Sequence, residues 1–117
     1  MKRLFSATIN SLRGLGYGFR SEAALREEMI LLVAGVVAGF FVAPGVVWYL
    51  LMVGSLLVLL AVESLNTAIE KLADYVTRER HVEIRRVKDF GSAAVFCAIC
   101  LAGLVWLVAV AVRFGLL

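Results

Sequence analysis

Two stretches of this chain carry no charge, Met29–Val62 and Phe90–Val112, and the charged residues crowd before and between them. As one helix at about 1.5 Å per residue, the 34 residues of the first run would far overshoot a hydrocarbon core of roughly 30 Å, so the run must fold back. Its middle holds the only proline, in Ala43-Pro44-Gly45, and Pro-Gly is a strong turn signal. The pattern therefore predicts two short spans joined at Pro44, each continuing past its charge-free part into the polar residues beside it. The 23 residues of the second run are long enough for a third span.

Ahead of the first span the periodicity is that of an amphipathic helix. At 100° per residue, Leu4, Phe5, Ile9, Leu12, Leu15 and Phe19 fall within an arc of about 140°, while Lys2, Arg3, Arg13 and Arg20 fall outside it. That spacing predicts a helix over residues 2–20 lying in the membrane interface, apolar face toward the acyl chains and basic face toward phosphates and water. Gly14, Gly16 and Gly18 each cost about 1 kcal/mol relative to alanine in a water-exposed helix, which predicts a break or bend there. The same stretch, GLGYG, follows no strand and lacks the Gly-Lys-Ser or Gly-Lys-Thr ending of a phosphate loop, so it reads as a flexible entry to the first span.

Composition names the solvent these elements need. Of the 117 residues 62% are hydrophobic, and the mean hydropathy is +0.95; soluble domains are roughly 45–50% apolar. Five of the 12 Lys and Arg (Lys2, Arg3, Arg13, Arg20, Arg26) precede the first span, and six (Lys71, Arg78, Arg80, Arg85, Arg86, Lys88) separate the second from the third. By the positive-inside rule both basic segments are cytoplasmic, and the Pro44 turn and the C-terminus are outside. The net charge of +3 then reads as a topology signal and a contact for anionic lipid, with no nucleic-acid partner. No cleaved signal peptide is expected, because the first apolar run begins only at residue 29 and a second follows at once.

The expected fold is all-α, a single integral membrane unit with three transmembrane helices and an N-terminal amphipathic surface helix. Its parts are residues 1–27 (surface helix and entry), 28–43 (span 1), 46–74 (span 2 with a cytoplasmic extension), 75–88 (cytoplasmic loop) and 89–113 (span 3).

Candidate chemistry lies where the second span leaves the membrane, in AVESLNTAIEKLAD, residues 61–74. With Glu63 at 0° on a helical wheel, Asn66 falls at about −60°, Glu70 at −20° and Asp74 at +20°, one strip about 80° wide. Glu63 directly follows the uncharged run, where an ionisable group is costly unless it faces a protein-lined or watery cavity. Such a carboxylate suits a general base, and the Asn66 amide can orient it or a ligand. Glu70 lies two turns on, where a second carboxylate from Glu22, Glu27 or Glu28 could approach it, a pairing that suits Mg²⁺ held by one or two carboxylates and substrate phosphates. Lys88, following Arg78, Arg80, Arg85 and Arg86, supplies positive charge for phosphate. An edge-of-membrane glutamate also suits proton exchange, so a small proton-coupled transporter is the alternative from another class.

Other residues read more plainly. Cys97 and Cys100 form a C-x-x-C inside an apolar helix with no acidic or His neighbour, and are expected to be inert buried thiols. His81 is the only histidine. Trp48, Tyr49 and Trp106 are expected to be interfacial anchors. The small residues Gly91, Ser92, Ala93, Ala94 and Ala98 offer a close-approach surface, either between subunits or within one.

ESLNTAIEKLAD matches the pattern Glu-x-x-Asn-Thr/Ser-Ala-Ile-Glu-x-x-x-Asp, and VKDFGSAAV a second block at the right spacing. In both, the chain resembles the small bacterial membrane diacylglycerol kinases and the related undecaprenol kinases. With EAALREE before the first span, the resemblance covers essentially the whole chain. It implies a homotrimer in the bacterial inner membrane that transfers the γ-phosphoryl group of ATP to a lipid hydroxyl with Mg²⁺, at sites shared between subunits. On this chain it implies Glu63 as the base, Glu22 and Glu70 as magnesium ligands, and Asn66 and Asp74 as residues that order the site. Nucleotide contacts implied are Arg3, Glu79, His81, Lys88 and Asp89, together with Glu22, Glu70 and Asp74; Arg26 and Ser92 would lie near the lipid head. No nucleotide role carries over to Asn10, which stands where a relative has an aromatic residue. EAALREE and KDFGSAAV look more like the diacylglycerol branch than the undecaprenol branch, which remains the alternative within the resemblance.

Overall fold

The computed structural model describes all 117 residues, Met1–Leu117. They form four helices and no strands: α1 Lys2–Ser21, α2 Ala23–Val42, α3 Val46–Val76 and α4 Val82–Arg113. Helix α3 is central, packed along α4 on one side and α2 on the other, while α1 folds back from the start of α2. The molecule is 53 Å in its longest dimension and 24 Å in its shortest, long enough to pass through a bilayer and too thin to hold a large interior.

The α2–α3 turn is where Pro44 puts it. Ala43 takes the extended conformation that a following proline favours, φ −63° and ψ 134°, and Gly45 opens α3. Two expectations give way. Helix α1 runs unbroken through Gly14, Gly16 and Gly18. The last of these is buried, and a Cβ there would lie 2.8 Å from Leu25 Cδ1, so its missing side chain serves a close approach of α1 to α2 rather than a break. The loop after α3 is also shorter than residues 75–88, because α4 already begins at Val82. Glu83 in its first turn suits the helix dipole, and Arg86 Nη1 donates to Glu83 Oε1 at 2.7 Å, an i,i+3 pair that supports the early start.

Two of the helices, α3 and α4, are long and apolar enough to cross a membrane. Helix α2 is not by that measure: its charge-free part, Met29–Val42, rises only about 21 Å, and Arg26, Glu27 and Glu28 occupy its beginning.

The packed core is small. Met52 is fully buried, with Leu56, Leu59 and Leu60 below it on α3 and Ala98, Ala102 and Ala109 facing them from α4. Gly35 and Gly39, spaced as a small-xxx-small pair, let α2 approach: Gly35 lies against Leu56 and Trp106, and Gly39 against Tyr49 and Trp106. Only 16 of 117 residues are buried, so most of the apolar surface faces outward, as it can in lipid but not in water. The chain is a membrane protein.

Candidate active site at the Glu63 end of the bundle

The acidic strip sits on one uninterrupted helix, since α3 continues from its apolar part to Val76 without a kink residue. Its two halves differ. Glu63 and Asn66 are buried, at 9% and 7% exposure, whereas Glu70 and Asp74 are exposed. Asn66 Nδ2 donates to Glu70 Oε1 at 3.1 Å, which links the buried half to the exposed one. The other end of the amide, Asn66 Oδ1, rests against Gly91 of α4, in the space that a Cβ at Gly91 would fill. From α2, Glu28 comes close enough to Glu63 for the two carboxylates to repel. Glu28 Oε2 and Asn66 Oδ1 are both buried without a hydrogen-bond partner. Most buried polar atoms in proteins are paired, so these two orphans mark polar positions that the chain's own contacts leave unsatisfied.

Glu22 is the single residue between α1 and α2, its backbone extended at φ −121° and ψ 112°. Its carboxylate meets the ammonium of Lys71, with Nζ 2.6 Å from Oε1. Lys71 lies beyond the apolar part of α3, and the hydrogen bond with Glu22 holds its ammonium above the usual lysine range. Its Nζ also lies 5.8 Å from the centre of the Tyr17 ring. Within one chain no three His, Cys, Asp or Glu side chains gather where they could hold a metal ion.

A second cluster forms around the α3–α4 connection. Asp74, Glu79, His81 and Lys88 line one cavity of about 390 Å³, together with Arg78, Arg80 and Arg85. Lys88 Nζ donates to Asp74 Oδ1 at 2.7 Å, and this bond holds the Asp74 carboxyl below the usual carboxylate range, with Arg78 and Lys71 adding charge. His81 Nε2 lies 3.4 Å from Glu79 Oε2. Asp89 and Ser92 are exposed on α4. Arg26 Nη1 donates to the Phe19 carbonyl at 3.2 Å and so caps the end of α1. Arg3 is exposed near the far end of α1, about 28 Å along the helix axis from Glu22, too distant for both to touch one ion in the same chain.

A model of the prokaryotic diacylglycerol kinase family matches residues 9–110. The diacylglycerol kinase of Haemophilus influenzae is 39% identical over 91% of this chain and 90% of its own length. That of Escherichia coli K12 is 34% identical over 97% of this chain and 93% of its own. The Pseudomonas aeruginosa protein of the same name is 39% identical over 91% of this chain and 86% of its own. The chain belongs to the prokaryotic diacylglycerol kinase family. It is a lipid kinase, and the matched segment contains the strip, the loop cavity and Gly91, but not Arg3.

Several features of this lipid kinase were not readable from sequence. The partnership of Lys71 with Glu22 had no periodic signal, because a long side chain reaches across elements. Cys97 and Cys100 are exposed on the outside of α4, not buried as expected. Trp106 is no free interfacial anchor: its Nε1 donates to the Met52 carbonyl at 3.0 Å inside the bundle. Tyr49 likewise spends its hydroxyl on the Val36 carbonyl at 2.9 Å. The small residues of α4 divide, Gly91 and Ala98 packing within the chain and Ser92, Ala93 and Ala94 facing outward.

Proposed function

We propose that this kinase transfers the γ-phosphoryl group of ATP to the hydroxyl of diacylglycerol, giving phosphatidic acid and ADP, at the cytoplasmic face of the bacterial inner membrane. The observation that carries the reading is the burial of Glu63 and Asn66 where the apolar part of α3 ends. A lipid hydroxyl lies at that depth, with its tails in the hydrocarbon and its head at the interface. Glu63 accepts the hydroxyl proton as the oxygen bonds to the γ-phosphorus and the bond to the ADP oxygen breaks. Positioning and charge neutralisation dominate such transfers.

In this reading Glu22 and Glu70 would hold a magnesium ion together with phosphate oxygens. Glu22 and Glu70 offer only hard carboxylate oxygens, one Glu70 oxygen is oriented by Asn66, and a cation, the Lys71 ammonium, already rests on Glu22. Bound there, Mg²⁺ would neutralise phosphate charge. The basic loop cavity, with Asp74, Glu79, His81 and Lys88, suits the nucleotide, with Asp89 beside it on α4. Arg26 and Ser92 are assigned to the lipid head.

The assembly in this reading is a homotrimer of three-span subunits with both basic segments inside. Helix α2 crosses by drawing its polar first turns into the interface, and the outward Ser92, Ala93 and Ala94 meet a neighbouring subunit. Shared sites also suit Arg3, which lies far from Glu22 in its own chain.

The test is an assay of purified protein in detergent with Mg-ATP, offering diacylglycerol and undecaprenol side by side. Phosphatidic acid as the main product supports the proposal. Faster turnover of undecaprenol transfers the site to that lipid, and no ATP-dependent product from either lipid refutes the reading.

A further inference from the structure

Lys71 reaches across from α3 to a carboxylate outside its own helix. Its ammonium is 2.6 Å from Glu22 Oε1 and lies near the Tyr17 ring, so it ties α3 to the end of α1. At the joint between α1 and α2 the Glu22 N–H donates to the Gly18 carbonyl at 2.9 Å and the Glu22 carbonyl accepts from Arg26 N at 3.0 Å, so the Glu22 backbone is tied to both helices. Tyr17, Gly18, Glu22, Ser64, Thr67 and Lys71 border one cavity of about 430 Å³ between α1 and α3. The cation therefore reaches a fixed carboxylate at the edge of a space with room for something else.

We infer that Lys71 is an internal counter-ion for Glu22, which a divalent cation must displace before it can use that carboxylate. The inference rests on Glu22 being a metal ligand, as proposed above. A divalent ion on the same carboxylate would sit within a few ångström of the ammonium, and like charges at that range repel. Lysine suits the part, because its four-carbon stem lets the charge swing aside into solvent. Lys71 thus sets the metal concentration at which the kinase loads, without touching the transferred group.

Equilibrium binding of Mn²⁺ to the full-length protein in detergent, followed by loss of the free-ion EPR signal, reads this without turnover. Lys71→Met should tighten Mn²⁺ about tenfold, while Lys71→Arg, which keeps the charge, should stay within about twofold of the parent. Glu22→Gln should weaken Mn²⁺ binding and abolish the effect of Lys71→Met. If Glu22→Gln leaves Mn²⁺ binding unchanged, Glu22 is no ligand and the underlying reading fails. If Glu22→Gln weakens binding but Lys71→Met does not tighten it, only the counter-ion fails. In the unaltered protein, Mn²⁺ should raise labelling of Lys71 by an amine-reactive reagent severalfold at constant ionic strength, with Lys2 as the internal control. Unchanged labelling at saturating Mn²⁺ overturns the inference.

Discussion

At the Pro44 end of the bundle, polar atoms drawn inside are used up. Tyr49 and Trp106 donate to backbone carbonyls of neighbouring helices, and the Ser55 hydroxyl donates to the Met52 carbonyl at 2.7 Å. At the Glu63 end, Asn66 Oδ1 and Glu28 Oε2 are buried with no partner, and the Glu28 carboxylate is near enough to Glu63 for the two to repel. The same three helices build both ends, so the difference is not one of architecture. One end is closed by its own contacts, which hold the helices in register. The other is left polar and open, at a cost in stability that a binding partner would offset.

The largest effect should come from the open end. Glu63→Gln keeps the shape of the side chain and removes its capacity to accept a proton. A positioned general base contributes about 10²–10⁴-fold, so kcat should fall by that factor while the thermal midpoint changes little. Activity within threefold of the parent would mean that Glu63 is only a structural polar group, and the contrast between the ends would lose its functional half.

Met52→Ala strikes the closed end and should do the reverse. In water such a truncation costs about 2–5 kcal/mol, part of it transfer of the side chain from water. In a bilayer the transfer part largely vanishes, because lipid is itself apolar, which leaves the lost packing at about 2 kcal/mol. Unfolding in a denaturing detergent should report that loss, with turnover per folded molecule unchanged. Gly91→Ala lies between the two, since its Cβ would occupy the place of Asn66 Oδ1. The amide can swing away, so stability should drop by only about 1 kcal/mol. Turnover should fall further than that loss explains, because Asn66 then releases Glu70. Equal turnover in Gly91→Ala and the parent would show that the Asn66–Glu70 bond orders nothing.

How far these ends could be read from sequence depended on the kind of signal. The Pro44 turn and the shared face of Glu63, Asn66, Glu70 and Asp74 were legible, since proline chemistry is local and a 3.6-residue period fixes angles on one helix. Which elements meet that face was not. Of the three acidic residues expected to approach Glu70, Glu28 instead comes near Glu63 and Glu22 is taken by Lys71, because packing angle and long flexible stems leave no periodic trace. The glycines of α1 misled for a related reason. Helix propensity predicts a break, but the close approach of Gly18 to Leu25 outweighs about 1 kcal/mol per glycine. Likewise Val82–Lys88 looked like loop because it is charged, although its charges pair along a helix.

The smallest effect concerns the ion pair that joins the strip to the loop cavity. Hydrogen bonding from Lys88 lowers the Asp74 carboxyl in the folded protein, so the folded state binds that proton less readily than the unfolded chain does. A group depressed on folding contributes stability above its unfolded pKa, about 3.9 for Asp, and the contribution is lost as pH falls through the lowered folded value. Lys88→Met removes the partner. The difference in thermal midpoint between the parent and Lys88→Met should therefore be flat from about pH 5 to 8 and should narrow below about pH 4. Both side chains are largely solvated, so the gap should be small and should shrink with added salt. A gap that instead widens in acid would mean that Lys88 is stabilised by something other than Asp74, and that the strip and the loop cavity are separate sites.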